Sequence, residues 1–357
     1  MSDAQQPQPT QTPPAAPGSP RKLYLVAVAA AVVAFLFTLS FGYADHSPQP
    51  HGVKIAVVAP ASSVAKLGAG LDRVEPGGFD LFQVRTTADA IHSVRAQAAA
   101  GALALSANGK ATIITAAAAG LSQQTAITAA LTGATAAMHM TASSLDVAPL
   151  PTNDRAGILA FVFQLGLLLP SVIGSIGLFL LGARLRIWWR VSAAVLLAVL
   201  VSGAAVLTLD PVFGGLTGAG GALLGVGAFG ALSFVLVIAA LQATVGFAGT
   251  GVAAVLLVLV GNAMSGGTVT IPFLPDGFRQ LARWMPNGAI VSAVRDVVYF
   301  GGNSLGHPLL VLGLWTAAAV AVLIAVDVLH VLEHRRSPNL PAPLHAKPAL
   351  AYLRRPL

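Results

Sequence analysis

From Pro211 to Pro275 the chain contains no Asp, Glu, Lys, Arg or His. So long a stretch without an ionisable side chain cannot present a charged face to water, and its natural solvent is hydrocarbon. Within it, Ala219 to Gly261 is 43 residues long. As one α-helix it would extend about 64 Å, twice the roughly 30 Å of bilayer hydrocarbon, so it must fold back on itself. The weak point is Gln242 to Gly251 (QATVGFAGTG), where a tight cytoplasmic turn between two spans is expected.

Ala156 to Ala183 and Val191 to Leu209 likewise lack ionisable residues. With 55% hydrophobic and 9% charged residues, a bilayer suits the chain better than a soluble core does. Further spans are expected at Leu23 to Tyr43, an uncleaved signal anchor after Arg21 and Lys22, and at Pro308 to Leu332. The expected fold is a membrane all-α bundle of six transmembrane helices, with a small extracytoplasmic α/β domain inserted between helices 1 and 2. In residue terms this gives a disordered cytoplasmic tail (1–20), helix 1 (21–43) and the α/β domain (44–155). Helices 2–6 (156–334) carry an outer-leaflet re-entrant hairpin at 266–303, and a basic cytoplasmic tail (335–357) follows.

The net charge of +7 is spread over membrane flanks rather than gathered in a stripe, which argues for lipid as a partner and against nucleic acid. Arg21/Lys22, the cluster Arg184, Arg186 and Arg190 with Trp188 and Trp189, and Arg335/Arg336 fall on one side. The positive-inside rule then puts both termini in the cytoplasm. Heavy use of Ala, Gly, Val, Pro and Arg is in keeping with a GC-rich bacterial genome, and so with a multi-pass protein of the bacterial plasma membrane.

Residues 44–155 alternate strand-like and helical runs. Strands are expected at Lys54 to Val58 and Phe79 to Val84, and helices at Ser62 to Arg73 and, capped by a Thr, Thr86 to Ala100. A hairpin around Asn108 and Gly109 joins Ala102 to Leu105 with Thr112 to Thr115. An Ala/Thr-rich helix to about Met138 and a short run at Asp146 to Leu150 complete the domain.

Residues 261–303 carry the most information. Pro275 and Asp276 begin a short helix with an apolar stripe of Phe278, Leu281, Ala282 and Met285, and Pro286 stops it. Asn287 is expected to cap a second helix reaching Phe300, where Gly301 and Gly302 break it. This stretch resembles the outer-leaflet element of ABC type 2 exporter permeases, in particular the YhgE/Pip (phage infection protein) branch. The family pattern G-N-P-x-S-G looks like Gly261, Asn262, Ala263, Met264, Ser265 and Gly266, with Ala263 where the family has proline. Its P-x-G-A, later Arg and Tyr-Phe pair look like Pro286, Gly288, Ala289, Arg295, Tyr299 and Phe300. The resemblance extends over about residues 23–330. It implies a permease subunit of an exporter, a homodimer powered by a separate cytoplasmic ATPase. Asn262, Ser265, Pro275, Pro286, Gly288, Arg295 and Tyr299 are the candidate pathway or hairpin residues. Docking of the ATPase is expected near residues 183 to 191, with Arg184, Arg186 and Arg190 as the candidates, and near 242 to 251. Members of this branch are linked to phage entry and secretion machinery, which keeps open a membrane-anchored interaction protein without transport.

Chemistry of other kinds finds little purchase. There is no cysteine, and no G-x-x-x-x-G-K-[ST] to hold a nucleotide. His330, Glu333 and His334 spell H-x-x-E-H, but no Asp or Glu follows to complete a metal site, and the trio reads as a polar helix end. The glycine-rich run Gly214 to Gly230 lacks the strand and acidic residue of a dinucleotide site and reads as close helix packing. No catalytic, cofactor or metal residues are assigned, and the chain is not expected to be an enzyme. Few relay carboxylates lie within the spans, which favours an external energy source. Asn262, Ser265 and Gln242 either face a substrate cavity or bond helix to helix. Arg295 and Asp296 either orient the hairpin, meet lipid headgroups or lie on a solvated helix face.

Overall fold

The computed structural model describes residues 20–182 and 185–336. The expectations for both tails and for Arg184 fall outside them, and the side chains of His330, Glu333 and His334 are likewise not described.

Five helices among the described residues are long and apolar enough to cross a membrane. They are α1 (Pro20–Asp45), α5 (Leu159–Gly182), α6 (Ile187–Leu207), α7 (Gly220–Val245) and α11 (Gly306–Arg336). The expected fifth of the six spans is shorter than hydropathy implied. After α7 the chain reverses at Gly246, whose φ of 68° only glycine adopts without strain, and the apolar segment that follows covers only Ala248–Gly261. It comprises α8 (Ala248–Ala253) and a π-helical stretch over Ala254–Gly261. At about 1.5 Å per residue it covers some two thirds of the hydrocarbon before the glycines of 261–267 interrupt it. Span three starts four residues earlier than expected, so Trp188, Trp189 and Arg190 belong to the helix itself.

α7 is the hub of the bundle, packed against α5, α6, α10 (Pro286–Tyr299) and α11. Its small residues permit this. A Cβ on Gly227 would meet Ser202 Oγ at 2.2 Å and Phe163 at 2.8 Å, and one on Gly230 would meet Ile290 at 2.7 Å. These contacts match the close-packing expectation for the glycine-rich run.

Between α1 and α5 lies a five-stranded sheet: β1 (Val53–Val58), β2 (Phe79–Gln83), β3 (Gly101–Leu105), β4 (Lys110–Thr115) and β5 (Thr141–Asp146), in the order β2-β1-β3-β4-β5. β1 runs parallel to β2 and β3, β3 antiparallel to β4, and β4 parallel to β5. Alternate residues face alternate layers. Ile55, Leu103 and Ile113 pack with α2 (Ala61–Val74) and α4 (Leu121–Ala137). Ala56, Ala102 and Ile114 pack with α3 (Thr87–Arg95). Thr86 caps α3 through a full capping box with Asp89, as its sequence implies. α3 ends at Arg95 rather than Ala100, because Gln97 turns the backbone to φ 55°. The last strand, Thr141–Asp146, ends where the short run read at Asp146 to Leu150 begins. Its TASSLD sequence is largely exposed, so it carries no apolar alternation to find.

The sheet domain is docked, not merely tethered. The cluster on its α2/α4 face continues into Met264, Phe273, Leu274 and Met285 of the hairpin region.

Candidate functional site

The shortened apolar segment and the helices α9 (Asp276–Ala282) and α10 meet in a buried polar knot. In a π-helical turn the regular i→i−4 carbonyl pairing is shifted, leaving acceptors free for side chains. The carbonyl of Leu257 is one such acceptor: Asn287 donates to it through Nδ2 at 3.0 Å and to Asn262 Oδ1 at 3.0 Å. The approach is close enough that a Cβ on Gly261 would sit 2.4 Å from Asn287 Oδ1. Ser265 Oγ accepts from the backbone N–H of Gly267 at 3.2 Å. Gly266 takes φ 72°, turning the carbonyls of Gly266 and Gly267 inward. Arg295 meets both, donating from Nη1 to Gly266 O at 2.8 Å and from Nη2 to Gly267 O at 3.1 Å. Its planar fork suits two carbonyls held side by side.

The expected site residues therefore largely converge. Asn262, Ser265, Gly288 and Arg295 share this knot, with Gly288 so close that a Cβ would lie 3.1 Å from Ala282 O and 3.4 Å from Ser265 O. Pro286 stands at the first position of α10, where its missing N–H costs nothing, and Pro275 precedes α9. Tyr299, at the far end of α10, donates to Gly215 O at 3.3 Å. The arginines expected to dock an ATPase stand apart: Arg186 and Arg190 are exposed at the α5–α6 connection.

Two expectations are corrected. Asn287 does not cap α10, since Met285 occupies that place and makes no side-chain cap; Asn287 is wholly buried and spent on the knot. Arg295 and Asp296 are not on a solvated face, being 9% and 1% exposed. Of the open alternatives for the polar residues at membrane depth, hydrogen bonding between segments is what the geometry contains. Gln242 Nε2 donates to Thr250 Oγ1 at 2.9 Å across the Gly246 turn.

Several residues that hold the site, Gln97 and Ser304 among them, had no role in the sequence reading. Asp296 accepts from Gln97 Nε2 at 3.0 Å and from the Ser304 N–H at 2.9 Å, while Ser304 Oγ donates to Ala96 O at 3.2 Å, so α10 is tied to the sheet domain. The His51 N–H donates to Pro272 O at 3.0 Å, and Thr268 Oγ1 to the Asp45 carboxylate at 3.1 Å. Asp154, buried before α5, accepts from the N–H groups of Ile158 and Leu159 at 3.0 and 3.3 Å. Burial pushes its carboxyl above the ordinary range, against the pull of those N–H groups and of Arg295. The stripe Gly288, Ser292, Arg295 and Tyr299, at i, i+4, i+7 and i+11, was the available signal that one face of α10 is committed to contacts. Among the described residues no three His, Asp or Glu stand together as metal ligands.

Fold and site together define a helical protein with five helices, among the described residues, long and apolar enough to cross a membrane, in which a shorter apolar segment, Ala248–Gly261, is fastened at its end to a helical hairpin. No family model, curated protein or solved structure matches the chain.

Proposed function

We propose that the chain is the permease subunit of an ABC-type exporter of the YhgE/Pip kind, working as a homodimer that moves an amphipathic or lipid-like substrate outward across a bacterial plasma membrane. In this reading the segment Ala248–Gly261 serves as the fifth of six spans, the sheet domain is extracytoplasmic and both termini are cytoplasmic. The observation that carries it is the broken span. Irregular backbone at membrane depth is tolerated where protein buries it or where it lines a pathway, and here the knot of Asn262, Asn287 and Arg295 takes up the freed carbonyls. A protein built only to anchor a domain has no need of such a break.

Energy comes from a separate ATPase, since the sequence has no P-loop of its own. Its docking surface is the end of the bundle where Phe179 and Phe247 meet with ring centroids 6.4 Å apart. That contact brings the α5–α6 connection, with exposed Arg186 and Arg190, beside the α7–α8 turn.

The test is affinity purification of the full chain from native membranes in mild detergent, with identification of partners and an ATPase assay. A stoichiometric partner bearing a P-loop supports the permease. A preparation free of any ATPase shifts the reading to a membrane-anchored interaction protein, phage receptor-like or a secretion accessory.

A further inference from the structure

Between the sheet domain and the hairpin lies a cavity of about 360 Å³, a volume suited to a small polar group. Lys54 and Gln123 line it from the sheet domain; Thr270, Arg283 and Arg295 line it from the hairpin region. Three cations border it, and its lining contains no Asp, Glu or His. Arg295 is 9% exposed, and its two bonds go to neutral carbonyls. Asp154 acts on Arg295 only at a distance, without an ion pair within 4.0 Å. A buried guanidinium bonded only to neutral acceptors, with its carboxylate neighbour beyond ion-pair distance, keeps a positive charge that is only partly compensated, and that attracts an anion.

A second observation is independent of charge. Thr270 is 5% exposed, lines the same cavity, and its Oγ1 has no hydrogen-bond partner. A buried hydroxyl left unpaired is costly, and a bound acceptor in the cavity is one way to satisfy it. The surroundings fix where that partner comes from. Arg283 stands between Leu281 and Trp284, which are 58% and 52% exposed, an apolar and aromatic flank of the kind found at the headgroup level of a bilayer.

We propose that this cavity is a binding site for a phosphate group, carried either by a lipid headgroup or by a free phosphate, with Arg283, Arg295 and Lys54 supplying charge and Thr270 a hydroxyl donor. The proposal stands whether or not the chain is a permease, because it rests only on the cavity's lining. Phosphate offers several acceptor oxygens to convergent cationic and hydroxyl donors.

The experiment uses the purified full-length chain in detergent. Inorganic phosphate is titrated calorimetrically at constant ionic strength, and phospholipid retained through delipidation is counted by phosphorus assay and native mass spectrometry. Arg283→Gln and Thr270→Val are compared with the wild type; Arg283 is exposed, so its variant leaves the fold intact. Saturable binding of inorganic phosphate, weakened roughly 10- to 100-fold by Arg283→Gln as expected for a charge-assisted bond, assigns the site to a free anion. One phospholipid retained per chain by the wild type and lost from Arg283→Gln, with no phosphate isotherm, assigns it to a headgroup. Overturning results are no response to either probe, or binding that neither variant alters.

Discussion

Asn287 on the first turn of α10 donates to Asn262 just after the apolar segment Ala248–Gly261, at 3.0 Å, and the same amide nitrogen reaches Leu257 O. Two segments separated by 25 residues are thereby fastened through one wholly buried side chain. Asn287→Ala leaves the Leu257 carbonyl and the Asn262 amide without this partner and is expected to cost about 1–3 kcal/mol, read as a lowered thermal midpoint in detergent. Gly261→Ala should reproduce much of that loss from the opposite side, since its Cβ would displace Asn287.

Arg295 holds two adjacent carbonyls with one planar group, which a lysine cannot do. Arg295→Lys keeps the charge and loses the fork, so a loss of about 1–3 kcal/mol is expected. Limited proteolysis offers a more specific readout: cleavage within residues 266–272 should accelerate in the variant while the sheet domain stays protected. Unchanged cleavage there would mean that Arg295 does not hold the loop.

How much of this the sequence made legible depends on which physical signal each element carries. Apolar length marked α1, α5, α6 and α11, because a membrane helix must bury its backbone polar groups internally. Apolar length also required Ala219 to Gly261 to reverse, and the weak point read at Gln242 to Gly251 contains the turn at Gly246. What apolar length did not show is that the regular helix ends soon after the turn, so that the segment that follows covers only Ala248–Gly261. β5 was missed because an exposed edge strand need not alternate. Asn287 was taken for a cap because Asn at a helix start favours that role. That its amide instead crosses to Leu257 and Asn262 follows from a tertiary approach that no local pattern encodes.

The turn between α7 and the segment after it yields a paired test. A Cβ on Gly249 would fall 2.2 Å from Leu241 O and 2.5 Å from the Gln242 nitrogen, backbone atoms that cannot step aside, whereas a Cβ on Gly251 meets open space. Gly249→Ala should destabilise by roughly 1–3 kcal/mol or more, and Gly251→Ala should leave the thermal midpoint within experimental scatter.

Asp154 predicts a pH dependence of defined sign. Burial raises its carboxyl above the ordinary 3.8, so the folded state favours the protonated form more than the unfolded chain does. Its contribution is fully present below 3.8 and is lost as pH climbs through the raised value. Asp154→Asn keeps an acceptor for the Ile158 and Leu159 N–H groups and removes the titration. Melting curves across this window should therefore fall with pH more steeply in the wild type than in the variant.

The end of the bundle where Phe179 meets Phe247 gives the prediction closest to function. Arg186 and Arg190 are exposed there, and no ion pair among the described residues engages them, so reversing their charge costs the fold little. If a cytoplasmic ATPase docks at this end, Arg186→Glu together with Arg190→Glu should lower its co-purification several-fold while thermal stability is retained, because like charges across an interface repel and slow encounter. Equal recovery of the ATPase by wild type and variant would place the docking surface elsewhere, and the Gly246 turn itself, flanked by exposed Val245 and Phe247, would be the next segment to alter.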